Sequence, residues 1–146
     1  MIRRYAPEDK EAVLNVWYES AQVAHPFWTP EIFERERGAI AEQFLPIAET
    51  YVFERTGTVV GFISLMGTEV GGLFVTPRYH RRGIGRALMD EARASRDHLE
   101  LDVFEENVIG RAFYEHYGLR VVGERRDEAT GQRVLRLRLP PKSFST

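Results

Sequence analysis

Two glycines set among arginines carry the first chemical signal in this chain. Leu73-Phe74-Val75-Thr76-Pro77 is an apolar run closed by proline, and beyond Arg78-Tyr79 comes His80-Arg81-Arg82-Gly83-Ile84-Gly85-Arg86-Ala87-Leu88. The pattern predicts a buried strand, a tight turn and a helix start. A helix start leaves backbone N–H groups without partners and carries about half a positive charge, so an anion binds there favourably. Gly83 and Gly85 have no Cβ to hold that anion off the backbone, and Arg78, Arg81, Arg82 and Arg86 add positive charge. The ligand is expected to carry phosphates. A P-loop would need Lys and then Ser or Thr after its second glycine, where this chain has Arg86 and Ala87. A dinucleotide turn would place Gly or Ala at position 88, which is Leu88.

A second constellation follows downstream, Asn107-Val108-Ile109-Gly110-Arg111-Ala112-Phe113-Tyr114-Glu115-His116-Tyr117-Gly118-Leu119. The two segments together resemble the two signatures of the GCN5-related N-acetyltransferases, Q/R-x-x-G-x-G/A and N-x-x-A-x-x-F-Y-x-x-x-G-F, in the family's order and spacing. This chain departs from them at His80, Gly110 and Leu119. The resemblance spans about Ile2 to Leu139. Within the superfamily the Trp17, His25-Pro26-Phe27, Gly61-Phe62 and Arg81-to-Gly85 blocks most resemble small bacterial peptidyl-lysine N-acetyltransferases.

That resemblance implies acetyl-CoA as cosubstrate, with no metal, and direct attack of an amine on the thioester carbonyl. It implies pyrophosphate contacts at Arg81, Arg82, Gly83, Ile84, Gly85 and Arg86. Pantetheine amides would pair with the backbone near Phe74 and Val75, and Asn107 would contact the pantetheine arm. Direct attack makes three demands. The amine must be neutral, and an ordinary lysine amine spends about 4 to 5 kcal/mol losing its proton at pH 7. The oxyanion needs a hydrogen-bond donor, and the departing thiolate needs a proton. The family's F-Y tyrosine implies Tyr114 as that proton donor. Glu69 stands fourteen positions before Gly83, the offset of the glutamate base in related histone acetyltransferases; the base is Glu69 or a water chain. His25, Phe27 and Trp28 occupy the segment that in relatives roofs the acceptor pocket, which implies substrate contact.

Periodicity supplies the elements that would hold these residues. Ile2 to Tyr5 reads as a short strand, and Pro7 opens a helix with Val13, Val16, Trp17 and Ser20 on one face. Thr29-Pro30 caps a second helix that runs to about Pro46. Tyr51 to Glu54, Val59 to Leu65 and Val70 to Val75 read as strands, and Ile84, Ala87, Leu88 and Ala92 as a helix stripe. Leu99, Leu101 and Val103 alternate with Glu100 and Asp102 as a half-buried strand. In the last helix Ile109, Ala112, Phe113 and Tyr117 form the apolar stripe, with Tyr114 on its flank. Arg120 to Arg125 and Arg133 to Leu139 complete a hairpin around Thr130-Gly131. The expected fold is α/β (α+β), one domain over 1–146. By the resemblance, its mixed, mostly antiparallel seven-stranded sheet is splayed between strands 4 and 5, with helices on both faces.

Composition bounds the function. A chain of 146 residues that is 43% hydrophobic can bury a core without cross-links, and zero cysteines exclude disulfides and thiolate catalysis. A net charge of −2 argues against a nucleic-acid partner. With neither a signal peptide nor a membrane-length apolar run, a cytoplasmic location is expected, with no membrane partner. The partner is an amine acceptor, protein lysine or small molecule, and the chain a monomer or homodimer. The first reading is a protein or peptide lysine acetyltransferase. A polyamine, amino acid or antibiotic acetyltransferase is the alternative, and a non-catalytic acyl-CoA-binding module a further one.

Overall fold

The computed structural model describes residues 1–141. Its elements follow the expected order: β1 (Ile2–Arg4), α1 (Lys10–Ala24), α2 (Pro30–Ala39), β2 (Glu49–Arg55), β3 (Thr58–Met66), β4 (Glu69–Val75), α3 (Ile84–Arg93), β5 (Leu99–Phe104), α4 (Val108–Tyr117), β6 (Arg120–Arg126) and β7 (Arg133–Leu139). Pro7 opens only a single 3₁₀ turn, Pro7–Asp9, before α1 begins. Asp9 anchors that turn by accepting the Ala6 N–H at 2.8 Å and two Arg3 N–H groups at 2.8 and 2.9 Å. The hydrogen bond from Arg3 holds the Asp9 carboxyl below its usual range.

At α2, Thr29 Oγ1 accepts the Ile32 N–H at 3.3 Å and Pro30 takes the first helical position, as the capping pattern predicts. The helix then widens into a π turn over Ile40–Phe44, closed by Leu45 N–H to Ile40 O at 2.9 Å.

The sheet runs β1-β2-β3-β4-β5-β7-β6. Every neighbouring pair is antiparallel except β4 and β5, which are parallel and share the single register pair Glu69↔Glu100. Beyond that pair the two strands part. The interior of β3 is buried on both faces, with Val59 and Phe62 packing under α1 beside Val13 and Trp17, and Ile63 and Leu65 packing under α3 beside Leu88 and Met89. A sheet pinned this way on both sides fixes where the parted ends of β4 and β5 stand. No helix among the described residues is long and apolar enough to cross a membrane.

Candidate active site

The wedge between β4 and β5 opens into a cavity of about 340 Å³. Its sheet side is Val70 to Phe74 and Leu101 to Phe104, and Asn107 and Tyr114 close the α4 side. Trp17, His25 and Trp28 from α1 and the following loop form the roof with Glu36, Ile40, Gln43 and Phe44 from α2 and its π turn.

A bulge shapes the floor. Ser64 pairs with Gly72 and Leu65 with Val70, so Gly71 has no partner on β3. A Cβ on Gly71 would lie 2.1 Å from Phe44 Cζ, so the missing side chain is what admits that ring. The π turn of α2 and the bulge of β4 are therefore matched. π turns and bulges both re-aim side chains at functional sites.

Along β4 the Thr76 N–H bonds Val60 O at 2.8 Å. Ladder alternation then turns the backbone of Leu73 and Val75 away from β3 toward the wedge. Phe74 bonds toward β3, and it reaches the cavity with its ring. Of the backbone groups near Phe74 and Val75, those of Leu73 and Val75 face the wedge. The Val75 carbonyl is already taken, by His80 Nε2–H at 2.8 Å and by the Ser20 hydroxyl at 2.9 Å, whose one proton is shared with Val16 O at 2.7 Å, which leaves its N–H. His80 serves the turn, locking it to the end of β4.

The glycine turn sits outside the cavity, at the start of α3. Gly83 caps the helix at φ +80°, a left-handed conformation that side chains resist. The first bond within α3 is Ala87 N–H to Gly83 O at 3.0 Å, so Ile84, Gly85 and Arg86 present N–H groups outward. The two glycines have different reasons. Space beside Gly83 is open and its φ is the constraint, whereas a Cβ on Gly85 would lie 3.2 Å from the Phe113 ring, so Gly85 lets α4 pack on α3. Around them the Arg82 guanidinium lies 5.2 Å from the Tyr79 ring centre and that of Arg86 lies 5.6 Å from Tyr117. Arg81 has φ +64°.

Asn107 caps α4, its Oδ1 accepting the Gly110 N–H at 2.9 Å. A Cβ on Gly110 would lie 2.5 Å from Asn107 Nδ2, so the departure from alanine makes room for this cap. The apolar stripe of α4 differs from the one predicted. Ile109 is 53% exposed, while Tyr114 is the buried residue of the helix at 8%. With Phe113 seated on α3 at Gly85, the helix turns Tyr114 inward to the wedge. Burial pushes its phenol well above the ordinary tyrosine value, so it is protonated at neutral pH.

Glu69 stands just below the lining, at the closed end of the wedge. Arg136 holds both its oxygens, Nη2 to Oε1 at 2.5 Å and Nη1 to Oε2 at 2.7 Å, and reaches Asp102 at 3.2 Å. Glu100 joins the same cluster at 3.5 Å. Asp102 lines the cavity as well.

The roof holds two unsatisfied polar atoms, His25 Nδ1 and Trp28 Nε1, both buried without a partner. Each such group costs about 1–3 kcal/mol when left unpaired. Burial alone lowers the His25 imidazole to about 4, so it is neutral at pH 7. It is correspondingly a poor base: taking a proton from an ammonium of pKa about 10.4 would cost roughly 8–9 kcal/mol. Phe27 packs behind this wall, 5.8 Å from His25 and 5.6 Å from Phe104, without lining the cavity. Phe104, Gly71 and Gln43 are site residues the sequence did not single out. Phe104 lies one residue past the alternating run from Leu99 to Val103.

Residues 46–120 match the model of the family described as Acetyltransferase (GNAT) domain. Peptidyl-lysine N-acetyltransferase YiaC of Escherichia coli is 33% identical over 123 residues, 84% of this chain and 84% of that protein. Peptidyl-lysine N-acetyltransferase YjaB of the same organism is 31% identical over 84% of this chain and 83% of its own. The solution structure of apo YjaB superposes with a TM-score of 0.82 at 29% identity, covering 94% of this chain and 95% of that one. The chain belongs to the GNAT acetyltransferase family. It is an N-acetyltransferase that uses acetyl-CoA.

Proposed function

We propose that this enzyme acetylates lysine side chains of proteins or peptides, and that the wedge is where the transfer occurs. The observation that carries the reading is Tyr114, a buried, protonated phenol facing the cavity between the parted strands. The names of YiaC and YjaB support the acceptor, and a neighbour of the same fold from Bacillus anthracis has been solved with acetyl coenzyme A.

In this reading the outward N–H groups of Ile84, Gly85 and Arg86, with Arg81, Arg82 and Gly83, hold the pyrophosphate. Leu73 and Val75 offer backbone groups to the pantetheine amides as a neighbouring strand would, and Asn107 and the Phe74 ring flank the arm. A backbone N–H of the bulge at Gly71 stabilises the oxyanion. His25 and Trp28, backed by Phe27, roof the acceptor amine.

As the nitrogen–carbon bond forms, the carbon–sulfur bond breaks with its electron pair on sulfur, and Tyr114 supplies that sulfur's proton. The proton that leaves the amine reaches Glu69 through water, because Glu69 lies below the lining, and passes on to solvent. The new amide's nitrogen returns a proton to Tyr114, so the enzyme ends unchanged and one proton is released. Tyr114→Phe tests this: acetyl-CoA affinity by titration calorimetry is expected to stay within twofold while kcat falls about a hundredfold. An unchanged kcat would remove Tyr114 from the chemistry. Mass spectrometry of a peptide and amine library with acetyl-CoA then reads the acceptor class, and acetylation of polyamines or antibiotics without peptides would replace the lysine reading.

A further inference from the structure

We infer that Trp28 Nε1 and His25 Nδ1 together read a main-chain amide of the acceptor, which makes this wall of the cavity the part of the enzyme that distinguishes a peptidyl lysine from a plain alkylamine. The inference rests on the acceptor reading above and deepens it.

Both atoms are buried without partners, and both side chains line the same cavity. His25 is 7% exposed. Buried polar atoms are nearly always paired, so two orphans on one cavity wall point to a ligand that pairs them. The wall is rigid as well. The His25 and Trp28 rings stack at 4.3 Å and 18°, and Phe104 meets both edge-on at 5.1 and 5.9 Å.

Hydrogen-bonding capacity narrows the ligand. The Trp28 indole is a donor only, and a neutral imidazole offers an acceptor nitrogen and an N–H. A secondary amide presents one carbonyl and one N–H, the complement of that pair. An ammonium would face the indole N–H donor to donor. An anion would meet Glu36 and Asp102, which line the same cavity. The pantetheine arm also carries amides, but the opposite wall already presents the backbone of Leu73 and Val75 to it. What remains for the roof is the acceptor. A lysine within a chain carries amides beyond its alkyl stem, and a polyamine carries none.

The test compares two acceptors with the full enzyme and acetyl-CoA: Nα-acetyl-lysine methylamide, and n-pentylamine, which has the amine and stem without an amide. The wild type is expected to prefer the lysine derivative. Trp28→Phe keeps a ring and removes the N–H. It is expected to lower kcat/KM for the lysine derivative about tenfold more than for n-pentylamine, the effect of one hydrogen bond. His25→Phe is expected to show the same selective loss and serves if Trp28→Phe folds poorly. Equal loss for both acceptors, or no loss, overturns the inference and leaves the lysine reading standing. A raised KM for acetyl-CoA with an unchanged acceptor preference assigns the pair to the cosubstrate and also overturns it. A wild type that acetylates neither acceptor overturns the lysine reading and this inference together.

Discussion

Arg136 grips Glu69 by both carboxylate oxygens, at 2.5 and 2.7 Å, across the closed end of the wedge. The grip ties β7 directly to the first residue of β4, the residue that also forms the single register pair where β4 and β5 still touch. In the proposed mechanism it also holds the carboxylate in place as the end of the proton path. Glu69→Gln keeps the shape and removes the proton acceptor. The expected outcome is a fall in kcat at pH 7 of about tenfold or more, with recovery as pH rises toward the amine's own pKa. A pH profile superimposable on the wild type would show that the proton leaves entirely through water.

The seat of Phe44 on Gly71 gives a second prediction. With a new Cβ standing 2.1 Å from Phe44 Cζ, Gly71→Ala must push the ring off the bulge. Turnover is expected to drop about tenfold or more, since misplaced reacting groups lose rate steeply, with acetyl-CoA binding at the proposed pyrophosphate site on the α3 start preserved. Phe44→Leu in the same chain removes the clash and should restore part of the loss. Independent, multiplicative losses in the double variant would show that the two residues do not act as a unit.

How much of this was legible beforehand depends on the range of the interactions involved. The strand, turn and helix start around Gly83 are local, and their periodicity and caps lie within a few residues. Tyr114 was legible through its motif, yet the stripe predicted for α4 exposed the wrong side, because the inward face is decided by where Phe113 meets Gly85 on another helix. Gly71 falls inside the strand expected over Val70 to Val75, with nothing local to set it apart. Its bulge is a matter of register against β3, and the π turn that delivers Phe44 is a matter of how α2 ends. Arg136 lies 67 positions from Glu69, so the pair that fixes the carboxylate leaves no trace in local pattern. Phe104 likewise becomes a site residue only when β5 brings it beside His25 and Trp28.

The buried imidazole of His25 makes stability depend on pH in a defined window. Its folded value is lowered from 6.5 to about 4 by burial. Between those values the unfolded chain binds a proton that the folded chain does not, so stability is full above about 6.5 and is lost as pH falls toward 4. The loss amounts to about 3 kcal/mol. Asp9 acts in the same direction in a lower window, because its depressed carboxyl loses its contribution only as pH falls below the usual carboxylate value of 3.8. Urea titrations at several pH values should show the wild type losing stability more steeply than the His25→Phe variant between 6.5 and 4, with the depressed carboxyls of Glu49 and Asp9 adding a decline common to both toward and below pH 4. An equal slope in the two proteins would mean that His25 is not held neutral by the fold.

The glycines of the α3 turn should separate into a backbone role and a packing role. Gly83→Ala puts a side chain at φ +80° with open space beside it, a cost of about 1–2 kcal/mol from conformation alone. The cap is expected to relax, so acetyl-CoA affinity falls while the α3–α4 contact survives. Gly85→Ala places its Cβ 3.2 Å from the Phe113 ring in an ordinary helical conformation. The strain then passes to α4, whose next residue is Tyr114, so kcat should fall more than cosubstrate affinity. Calorimetric affinities and kcat for the two variants decide the matter. Parallel losses of both quantities in both variants would mean that the two glycines share one role at the anion site.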